Sequence, residues 1–212
     1  MSIVEKKYLK LCKRKSDINE HLPTLYKYAI DCESILELGV RGVVSTWAFA
    51  HGLQNNDKET KKLIMNDIVP CDLNKILGAL EDTDIDVEYI WKDDLLLELN
   101  EQVDMTFIDT FHVYGQLKRE LNKFSKMTNK YIIMHDTTID EIDSQIVRSC
   151  CGNMKKAKQV ANEMTKSTGF TVDELLKGLQ PAVDEFLVEN KNWKLLERFN
   201  NNNGLTVLKK IA

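Results

Sequence analysis

Two groups of histidine and aspartate stand at the ends of apolar runs, and they are the residues best suited to do chemistry. The run MTFID ends at Asp109, and His112 follows three residues later. The run YIIM is followed directly by His135 and Asp136. Imidazoles and carboxylates accept protons and bind metal ions. If both runs are parallel strands, their carboxyl ends share one edge of a sheet, where such sheets bind ligands.

The segment ELGVRGVVST follows an earlier apolar run and has the features of an anion-binding turn. Gly39 and Gly42 allow the backbone to turn tightly and to approach a ligand closely. Ser45 and Thr46 open a helix, whose N-terminal amides favour a negative group. Glu37 is an acid in an otherwise apolar strand end, which is costly unless it has a partner. These residues predict a ligand-binding turn, although a strand–turn–helix with two glycines also fits simple packing.

Acidic residues end the next two predicted strands as well. Asp67 lies 25 residues beyond Gly42, close to the ~20 expected for an acid that binds ribose hydroxyls in a dinucleotide fold. Asp72 is a rival for that role. Asp93 could accept a hydrogen bond from an adenine amino group. Each of these acids also fits a solvated loop, so the spacing alone leaves their roles open.

Short apolar runs alternate with amphipathic segments along most of the chain. The runs are SILELGV (34–40), KLIMNDI (62–68), VEYIW (87–91), MTFID (105–109) and YIIMHD (131–136). Helical spacing follows three of them, in STWAFAHGL, DLNKILGAL and YGQLKRELNKFSKM. Strands that alternate with helices indicate a mostly parallel sheet covered on both faces.

The C-terminal part follows a different pattern. Residues 200–204, NNNNG, separate NWKLLERF from LTVLKKI. Asparagine and glycine tolerate positive φ, so this segment predicts an antiparallel hairpin. Residues 138–190 are charged and helix-prone, and we interpret them as a helical insertion on the substrate side. Within it, Thr171 and Glu174 have the spacing of a capping box.

Bulk properties exclude several classes of protein. The chain carries 33 acidic and 29 basic residues, a formal net charge of −4, which argues against a nucleic-acid partner. Its five cysteines are odd in number and form no CxxC pair, which favours a reducing compartment. No apolar run approaches the ~20 residues of a membrane span, and no signal-peptide core is visible. We expect a cytoplasmic protein without a membrane span, built as a single domain (1–212) whose residues 1–33 form cap helices.

The motifs ILELGVRGVVSTWA, FIDTFHVYGQLKREL, YIIMHDT and NWKLLERFNNNNGLTVLKK together resemble the class I S-adenosylmethionine (SAM)-dependent methyltransferases. The most similar group is that of the cephalosporin-hydroxylase-like and macrocin-type sugar O-methyltransferases, which include rhamnosyl O-methyltransferases. The resemblance covers roughly residues 16–212. It implies an α/β fold: a Rossmann-like, doubly wound, seven-stranded, mostly parallel sheet with an antiparallel C-terminal hairpin.

The resemblance also implies SAM as the cofactor and a set of residues that bind it. Asp67 would hold the ribose hydroxyls, Asp93 would face the adenine, and the start of the helix would receive the methionine carboxylate. Residues 16–26, here named the cover segment, would fold over cofactor and acceptor, although an ordinary amphipathic helix fits them as well. The implied cofactor-binding residues are Glu37, Gly39, Arg41, Gly42, Val44, Ser45, Thr46, Asp67, Asp93 and Asp109.

The same resemblance implies roles for the two groups at the strand ends. His112 matches a general base that would accept the proton of a sugar hydroxyl. Asp109, His135 and Asp136 match the ligands of a divalent cation, Mn or Mg. His135 departs from the family pattern, in which an acid or asparagine is common. An imidazole shifts the preference from magnesium towards manganese or other transition ions, and it is equally compatible with a site that binds no metal.

The sequence therefore predicts an O-methyltransferase that modifies a hydroxyl of a carbohydrate acceptor. A deoxyhexose such as rhamnose in a glycan or glycoconjugate is the expected substrate, and a homo-oligomer is left open. A methyltransferase of a small-molecule hydroxyl, such as a macrolide or a catechol-like diol, and a non-catalytic SAM-binding domain are the alternatives.

Two other enzyme classes fit less well. An HD-type phosphohydrolase would use His112 and the His-Asp pair at 135–136, but that fold is all-helical and these residues follow strand-like runs. A nicotinamide-dependent oxidoreductase would need the full GxGxxG turn, and Glu37 occupies its first glycine position.

Overall fold

The structure is a computed structural model that describes residues 1–211. Seven strands form one sheet with the spatial order 3-2-1-4-5-7-6. They are β1 (Ser34–Leu38), β2 (Lys62–Asp67), β3 (Asp86–Trp91), β4 (Val103–Ile108), β5 (Thr128–His135), β6 (Trp193–Phe199) and β7 (Leu205–Lys210). The first five strands pair in parallel, whereas β7 runs antiparallel to both β5 and β6. This arrangement confirms the predicted Rossmann-like fold class.

Nine helices accompany the sheet within the described residues. They are α1 (Ile3–Lys13), α2 (Leu22–Ala29), α3 (Ser45–Asn55), α4 (Asn74–Leu80), α5 (Tyr114–Phe124), α6 (Gln145–Ser149), α7 (Met154–Thr168), α8 (Val172–Leu176) and α9 (Gln180–Glu189). Short 3₁₀ turns occupy Asn19–His21 and Asp94–Leu96. No helix among residues 1–211 combines the length and the apolar character needed to cross a membrane.

Both faces of the sheet are buried, which explains why its strands are apolar runs rather than alternating ones. In β1, Ile35 packs with the core formed by α1 to α4, while Leu36 and Leu38 pack with the core formed by α5 and α9. Successive side chains of a strand point to opposite faces. The two layers of helices therefore hold the central strands rigidly and fix where their carboxyl ends meet.

The C-terminal hairpin forms as predicted from its turn residues. Asn202, Asn203 and Gly204 all have positive φ, at 46°, 71° and 98°. Gly204 is also required by space, because a Cβ atom there would overlap the main-chain nitrogen of Thr138. The hairpin turn therefore packs directly against the loop that follows β5.

The segment 138–190 is helical, and it divides into two parts. Helices α6 to α8 pack around their own small apolar cluster, in which Ile146, Ala157 and Phe170 are buried. Helix α9 instead covers the sheet beside α5 and contributes Val183 and Phe186 to that core. The capping box of α8 is present, since Thr171 and Glu174 each bond to the main chain of the other. That this segment selects the acceptor stays a prediction.

Candidate active site

A cavity of about 570 Å³ opens at the carboxyl ends of the central parallel strands. Such a position is the usual ligand site of an open α/β sheet. Half of the ten predicted cofactor-binding residues line it. They are Gly39, Arg41, Asp67, Asp93 and Asp109. Residues from the ends of β1 to β4 thus meet in one place, and we call this space the donor cavity after the methyl donor that the sequence predicts.

The turn after β1, residues 39–44, depends on main-chain geometry, and we call it the cofactor turn after its predicted ligand. Gly39 has φ +88°, and a Cβ atom there would overlap the carbonyl oxygen of Asp109. Arg41 and Val43 also have positive φ, at 39° and 55°. Positive φ is strained for a β-branched residue such as valine. The turn therefore persists because the residues around it hold it, which is a common property of ligand-binding loops.

Asp67 holds this turn in place. Its Oδ2 accepts hydrogen bonds from the main-chain nitrogens of Val40 (3.0 Å) and Arg41 (2.8 Å). Its Oδ1 accepts one from the nitrogen of Val69 at 2.9 Å. A carboxylate that accepts three main-chain hydrogen bonds joins the ends of β1 and β2 into one wall. Its predicted contact with ribose hydroxyls stays a prediction.

Glu37 lies beneath the turn rather than on the wall of the donor cavity. It is fully buried, and one of its oxygens accepts a hydrogen bond from the Ser45 hydroxyl while the other has no hydrogen-bond partner among the described residues. Burial raises the pKa of Glu37 to about 8, and the hydroxyls of Ser45 and Thr46 only partly offset it. The acid thus positions the start of α3 from below.

The start of α3 has no side-chain cap, because the Ser45 hydroxyl is engaged with Glu37 and the N-cap position is Val44. The first amides of a helix have no partner within the helix. Their predicted role towards a carboxylate stays a prediction, because the lining of the donor cavity does not include Gly42, Val44, Ser45 or Thr46.

The histidines and aspartates from the ends of β4 and β5 do come together, as the runs MTFID and YIIMHD predicted. The Nε2 atom of His112 is 3.1 Å from Asp109 Oδ1, and its Nδ1 atom is 3.0 Å from Asp136 Oδ2. His135 Nδ1 lies 3.5 Å from Asp109 Oδ1 and 3.4 Å from Asp136 Oδ1. We call Asp109, His112, His135, Asp136 and Asp140 the charge cluster.

Asp140 completes this cluster, and the sequence reasoning missed it. Its fully buried carboxylate accepts two hydrogen bonds of 2.8 Å from the guanidinium of Arg148. Its Oδ2 is 3.3 Å from His112 Nδ1. Gln145 holds the main chain of His112: its Oε1 accepts from the His112 nitrogen at 3.2 Å, and its own main-chain nitrogen donates to the His112 carbonyl at 3.0 Å. The only signal in the sequence was an aspartate four residues after Asp136, which is too common to indicate a role.

The charges in the cluster shift one another's pKa values. Burial alone would lower the pKa of His112, but the carboxylates of Asp109, Asp140 and Asp136 outweigh it and raise the pKa to about 10. Burial alone would raise the pKa of Asp109, but the hydrogen bond from His112 and the nearby imidazole of His135 lower it well below its usual range. The pKa of His135 is raised for the same reason as that of His112, against the effect of burial. Without a further cation, His112 therefore carries a positive charge at neutral pH.

The donor atoms of the cluster fit a divalent cation. Ligand atoms of Asp109, His112 and Asp136 all lie within 4.8 Å of one another, so this group contains two of the predicted ligands, with His112 in the place that the sequence assigned to His135. His135 Nε2 contacts the carbonyl oxygens of Asp17 (3.1 Å) and Asn202 (3.3 Å). Carbonyls only accept, so Nε2 carries the proton, as in a metal-binding histidine fixed by an outer partner. Its buried Nδ1 and the Oδ1 of Asp136 have no hydrogen-bond partner among the described residues.

The cover segment is tied to this site from two directions. The Asp17 carboxylate pairs with the Arg41 guanidinium at 2.6 Å, beside the donor cavity. Asn202 in the hairpin turn accepts from the main-chain nitrogen of Glu20 and donates to the carbonyl of Ser16. The cover segment therefore lies against both the cofactor turn and the charge cluster.

Several further residues line the donor cavity that the sequence did not single out. They come from the end of β2, from the segments that follow β2, β3 and β4, and from the helical segment after β5. They meet at the cavity through tertiary contacts, which leave no local pattern in the sequence. They are Asn66, Ile68, Val69, Asp94, Leu95, Thr110, Phe111, Gln116, Gln145, Met164, Ser167, Thr168 and Phe170.

No protein-family model matches the chain, and no curated protein matches its sequence. Solved structures do match its fold. The N-methyltransferase NodS from Bradyrhizobium japonicum WM9, in complex with S-adenosyl-L-homocysteine (SAH), superposes with a TM-score of 0.57 at 11% identity, over 98% of both chains. The O-methyltransferase TomG from Streptomyces achromogenes, in complex with SAM, gives 0.57 at 11% identity, over 100% of this chain and 91% of that one.

A putative caffeoyl-CoA O-methyltransferase from Staphylococcus aureus gives a TM-score of 0.56 at 14% identity, over 99% of this chain and 93% of that one. At such identities the likeness establishes the fold. The chain therefore has the class I methyltransferase fold.

Proposed function

We propose that this protein is a SAM-dependent O-methyltransferase. The observation that carries the proposal is that one residue, Asp109, belongs to both the donor cavity and the charge cluster. A methyl donor in the cavity would thus lie next to groups that can bind and deprotonate a hydroxyl. Methyl transfer needs the oxygen, the methyl carbon and the sulfur in line, and such positioning supplies much of the rate.

In this proposal the donor is held by the cofactor turn and the acids at the strand ends. Arg41, Asp67 and Asp93 line the cavity and offer polar groups to the methionine, ribose and adenine parts of SAM. The positive end of α3 favours the methionine carboxylate. These contacts follow the family resemblance and agree with the position of the cavity.

His112 is the proposed general base, and its surroundings set a condition on that role. With a pKa of about 10 the imidazole is protonated at neutral pH and cannot accept a proton. A divalent cation held by Asp109, His135 and Asp136 would supply charge that polarises the acceptor hydroxyl and offsets the carboxylates around His112. The buried, unpartnered atoms of His135 and Asp136 support this cation site.

We propose a sugar hydroxyl, such as that of a deoxyhexose in a glycan, as the acceptor, on the strength of the family resemblance. A second candidate is a small-molecule hydroxyl, such as that of a catechol-like diol. It is favoured by Ile139 and Ile142, which are 41% and 76% exposed in the loop that carries Asp140. Both lie within two residues of Asp140 in the chain, and exposed apolar side chains suit an aromatic acceptor.

The first experiment is isothermal titration calorimetry with SAH on chelator-treated protein, with and without added Mn²⁺ or Mg²⁺. One-to-one binding is the expected result, and a heat that depends on the metal would support the cation site. Absence of SAH binding under every condition would overturn the proposed function. Methyl transfer to rhamnosides and to catechols, followed by mass spectrometry, then separates the two acceptor classes.

The base assignment has its own test. His112→Ala should abolish turnover and leave the affinity for SAH within about threefold of the wild type, because transition-state contacts are lost while donor contacts remain. His51→Gln, a histidine on α3 that stacks on Tyr26 away from the cavity, serves as the control. Unchanged turnover in His112→Ala would remove His112 from the mechanism.

A further inference from the structure

Gln116 stands on the first turn of α5, and its side chain is held by two buried acids. Its Nε2 atom donates to Asp94 Oδ1 at 2.9 Å, to Asp94 Oδ2 at 3.2 Å and to Glu120 Oε1 at 3.0 Å. Gln116 and Asp94 are almost fully buried, and Glu120 is completely so. None of the three was assigned a role by the sequence.

These contacts fix which way the amide of Gln116 points. Both Asp94 oxygens face this amide, as does Glu120 Oε1, which also accepts from the Thr110 hydroxyl; these atoms act as acceptors, so the nitrogen rather than the oxygen of the amide must face them. Thr110 also donates to Glu120, which leaves its Oε1 doubly engaged. The Gln116 amide therefore cannot flip without opposing its oxygen to two carboxyl groups.

The two acids form a close pair that retains a proton. Burial, together with the neighbouring Asp94 carboxyl, raises the pKa of Glu120 well above its usual range. Burial also raises the pKa of Asp94. Both carboxyls contact the same Gln116 nitrogen, and two carboxyls so close in a buried site share a proton rather than ionise together. Glu120 Oε2 has no hydrogen-bond partner among the described residues and is free to carry that proton. The pair then holds one negative charge rather than two, and the oxygens that face Gln116 still accept from its nitrogen.

The oxygen of Gln116 is left for a ligand. Gln116, Asp94 and Thr110 line the donor cavity together with Asp93 and Leu95 from the end of β3. The hydrogen bonds of the Gln116 side chain within residues 1–211 all use its nitrogen, and none uses its oxygen. This oxygen is not among the fully buried, unpartnered side-chain atoms of the described residues, so it is accessible, and a ligand or water in the cavity can donate to it.

We infer that Gln116 reads the exocyclic amino group of the purine of the methyl donor, and that the Asp94–Glu120 pair sets its orientation. This inference rests on the proposed function, since it concerns the base of that same donor. Asp93, which the sequence favours for the amino group, uses its Oδ1 to cap the nitrogen of Leu95 at 2.9 Å. An amino group has two hydrogens, so Gln116 supplies a second acceptor beside Asp93.

The consequence is discrimination between a 6-amino and a 6-oxo purine. An oxo group would place a carbonyl against the fixed Gln116 oxygen, and neither can donate. A site built to accept a hydrogen bond rejects an analogue that lacks the donor, because its buried polar atom then stays unpaired. Gln116 would thus be a specificity-determining residue rather than a catalytic one.

The experiment compares the affinities of SAH and of S-inosylhomocysteine, its 6-oxo counterpart, by calorimetry. The wild type should bind SAH about 10- to 100-fold more tightly. Gln116→Met, which keeps the volume and removes the amide, should bring the two affinities within about threefold. Gln159→Met, an exposed glutamine on α7, is the matched control and should keep the wild-type ratio.

Each outcome separates this inference from the proposed function. If the wild type binds neither compound, the proposed function fails. If it binds both equally, the function stands and the inference fails. If folded Gln116→Met keeps the wild-type ratio of the two affinities, another residue, such as Asp93, recognises the amino group, and the inference about Gln116 also fails. Should that variant not fold, Gln116→Asn keeps the amide on a side chain that is one methylene shorter, which moves the oxygen away from the ligand. This variant must likewise reduce the ratio of the affinities for SAH and S-inosylhomocysteine.

Discussion

Glu37 and Asp109 are acids at the ends of β1 and β4, two strands that pair directly in the sheet, yet their surroundings act in opposite directions. Glu37 is fully buried beneath the turn and has hydroxyl groups but no cation to offset the burial, which raises its pKa to about 8. Asp109 lies between two imidazoles, and the hydrogen bond from His112 together with the charges of both imidazoles lowers its pKa despite the burial. A buried acid is thus neutral or charged according to what faces it.

The two regions are also built by different means. The cofactor turn is held by main-chain conformation, through Gly39 and the hydrogen bonds to Asp67. The charge cluster is held by side chains that arrive from separate segments and are adjacent only because β4 and β5 pair. The first region should therefore be sensitive to shape, and the second to charge.

The largest expected effect comes from the shape of the cofactor turn. Gly39→Ala should lower the free energy of unfolding by about 3 to 5 kcal/mol, because φ is +88° and the new Cβ would meet the Asp109 carbonyl. Chemical denaturation measures the change. Gly78→Ala is the matched control, since nothing lies within 4 Å of its Cβ position in α4, and it should raise stability by about 0.5 to 1 kcal/mol. Equal stability of the two variants would contradict this view of the turn.

The next effect distinguishes the buried neutral acid, and it is the smaller one over any single pH unit. Between pH 4.5 and about 8 the folded protein keeps a proton on Glu37 that the unfolded chain releases. The free energy of unfolding should therefore fall as the pH rises through this range, by up to about 1.4 kcal/mol per pH unit from this group. Glu37→Gln should remove that part of the slope.

Denaturation curves across this pH range on Glu37→Gln and the wild type give the difference directly. Glu33→Gln, an exposed acid just before β1, is the control and should keep the wild-type slope. A Glu37→Gln slope identical to that of the wild type would mean that Glu37 is ionised in the folded protein.

The smallest effect concerns Asp17, which touches both regions through different atoms. Its side chain pairs with Arg41 at an exposed position, whereas its carbonyl accepts from His135. Asp17→Asn should therefore lower stability by less than about 1 kcal/mol, with the difference disappearing at high salt. Denaturation at two ionic strengths measures it. A larger loss that persists in salt would show that the side chain does more than form a surface ion pair.

The sequence was sufficient for the fold because strands, helices and the hairpin turn have local signals. The run YIIM and the NNNNG turn identify β5 and the C-terminal hairpin without knowledge of tertiary contacts. It was also sufficient for the meeting of Asp109 with His135 and Asp136, because strand order brings those ends together.

The remaining parts of the site could not be predicted, since they depend on which side chains meet across elements. Asp140 acts on His112 only because the loop after β5 folds back over it, with support from Arg148. Gln116 matters only because Asp94 and Glu120 fix its amide. The high pKa of His112 likewise follows from the carboxylates of Asp109, Asp136 and Asp140. Asp109 is distant in the sequence from the other two, and aspartates are common in loops, so no local pattern indicates their joint effect.

The contact between the hairpin turn and His135 has a consequence for how the protein is made. His135 Nε2 faces the carbonyl of Asn202, a residue that leaves the ribosome well after β5. In the sheet β5 lies between β4 and β7, and β7 is synthesised after the other six strands. During translation the parallel half of the sheet can therefore assemble while the imidazole still lacks this partner. The charge cluster would therefore be completed in a late step, after the scaffold that carries it.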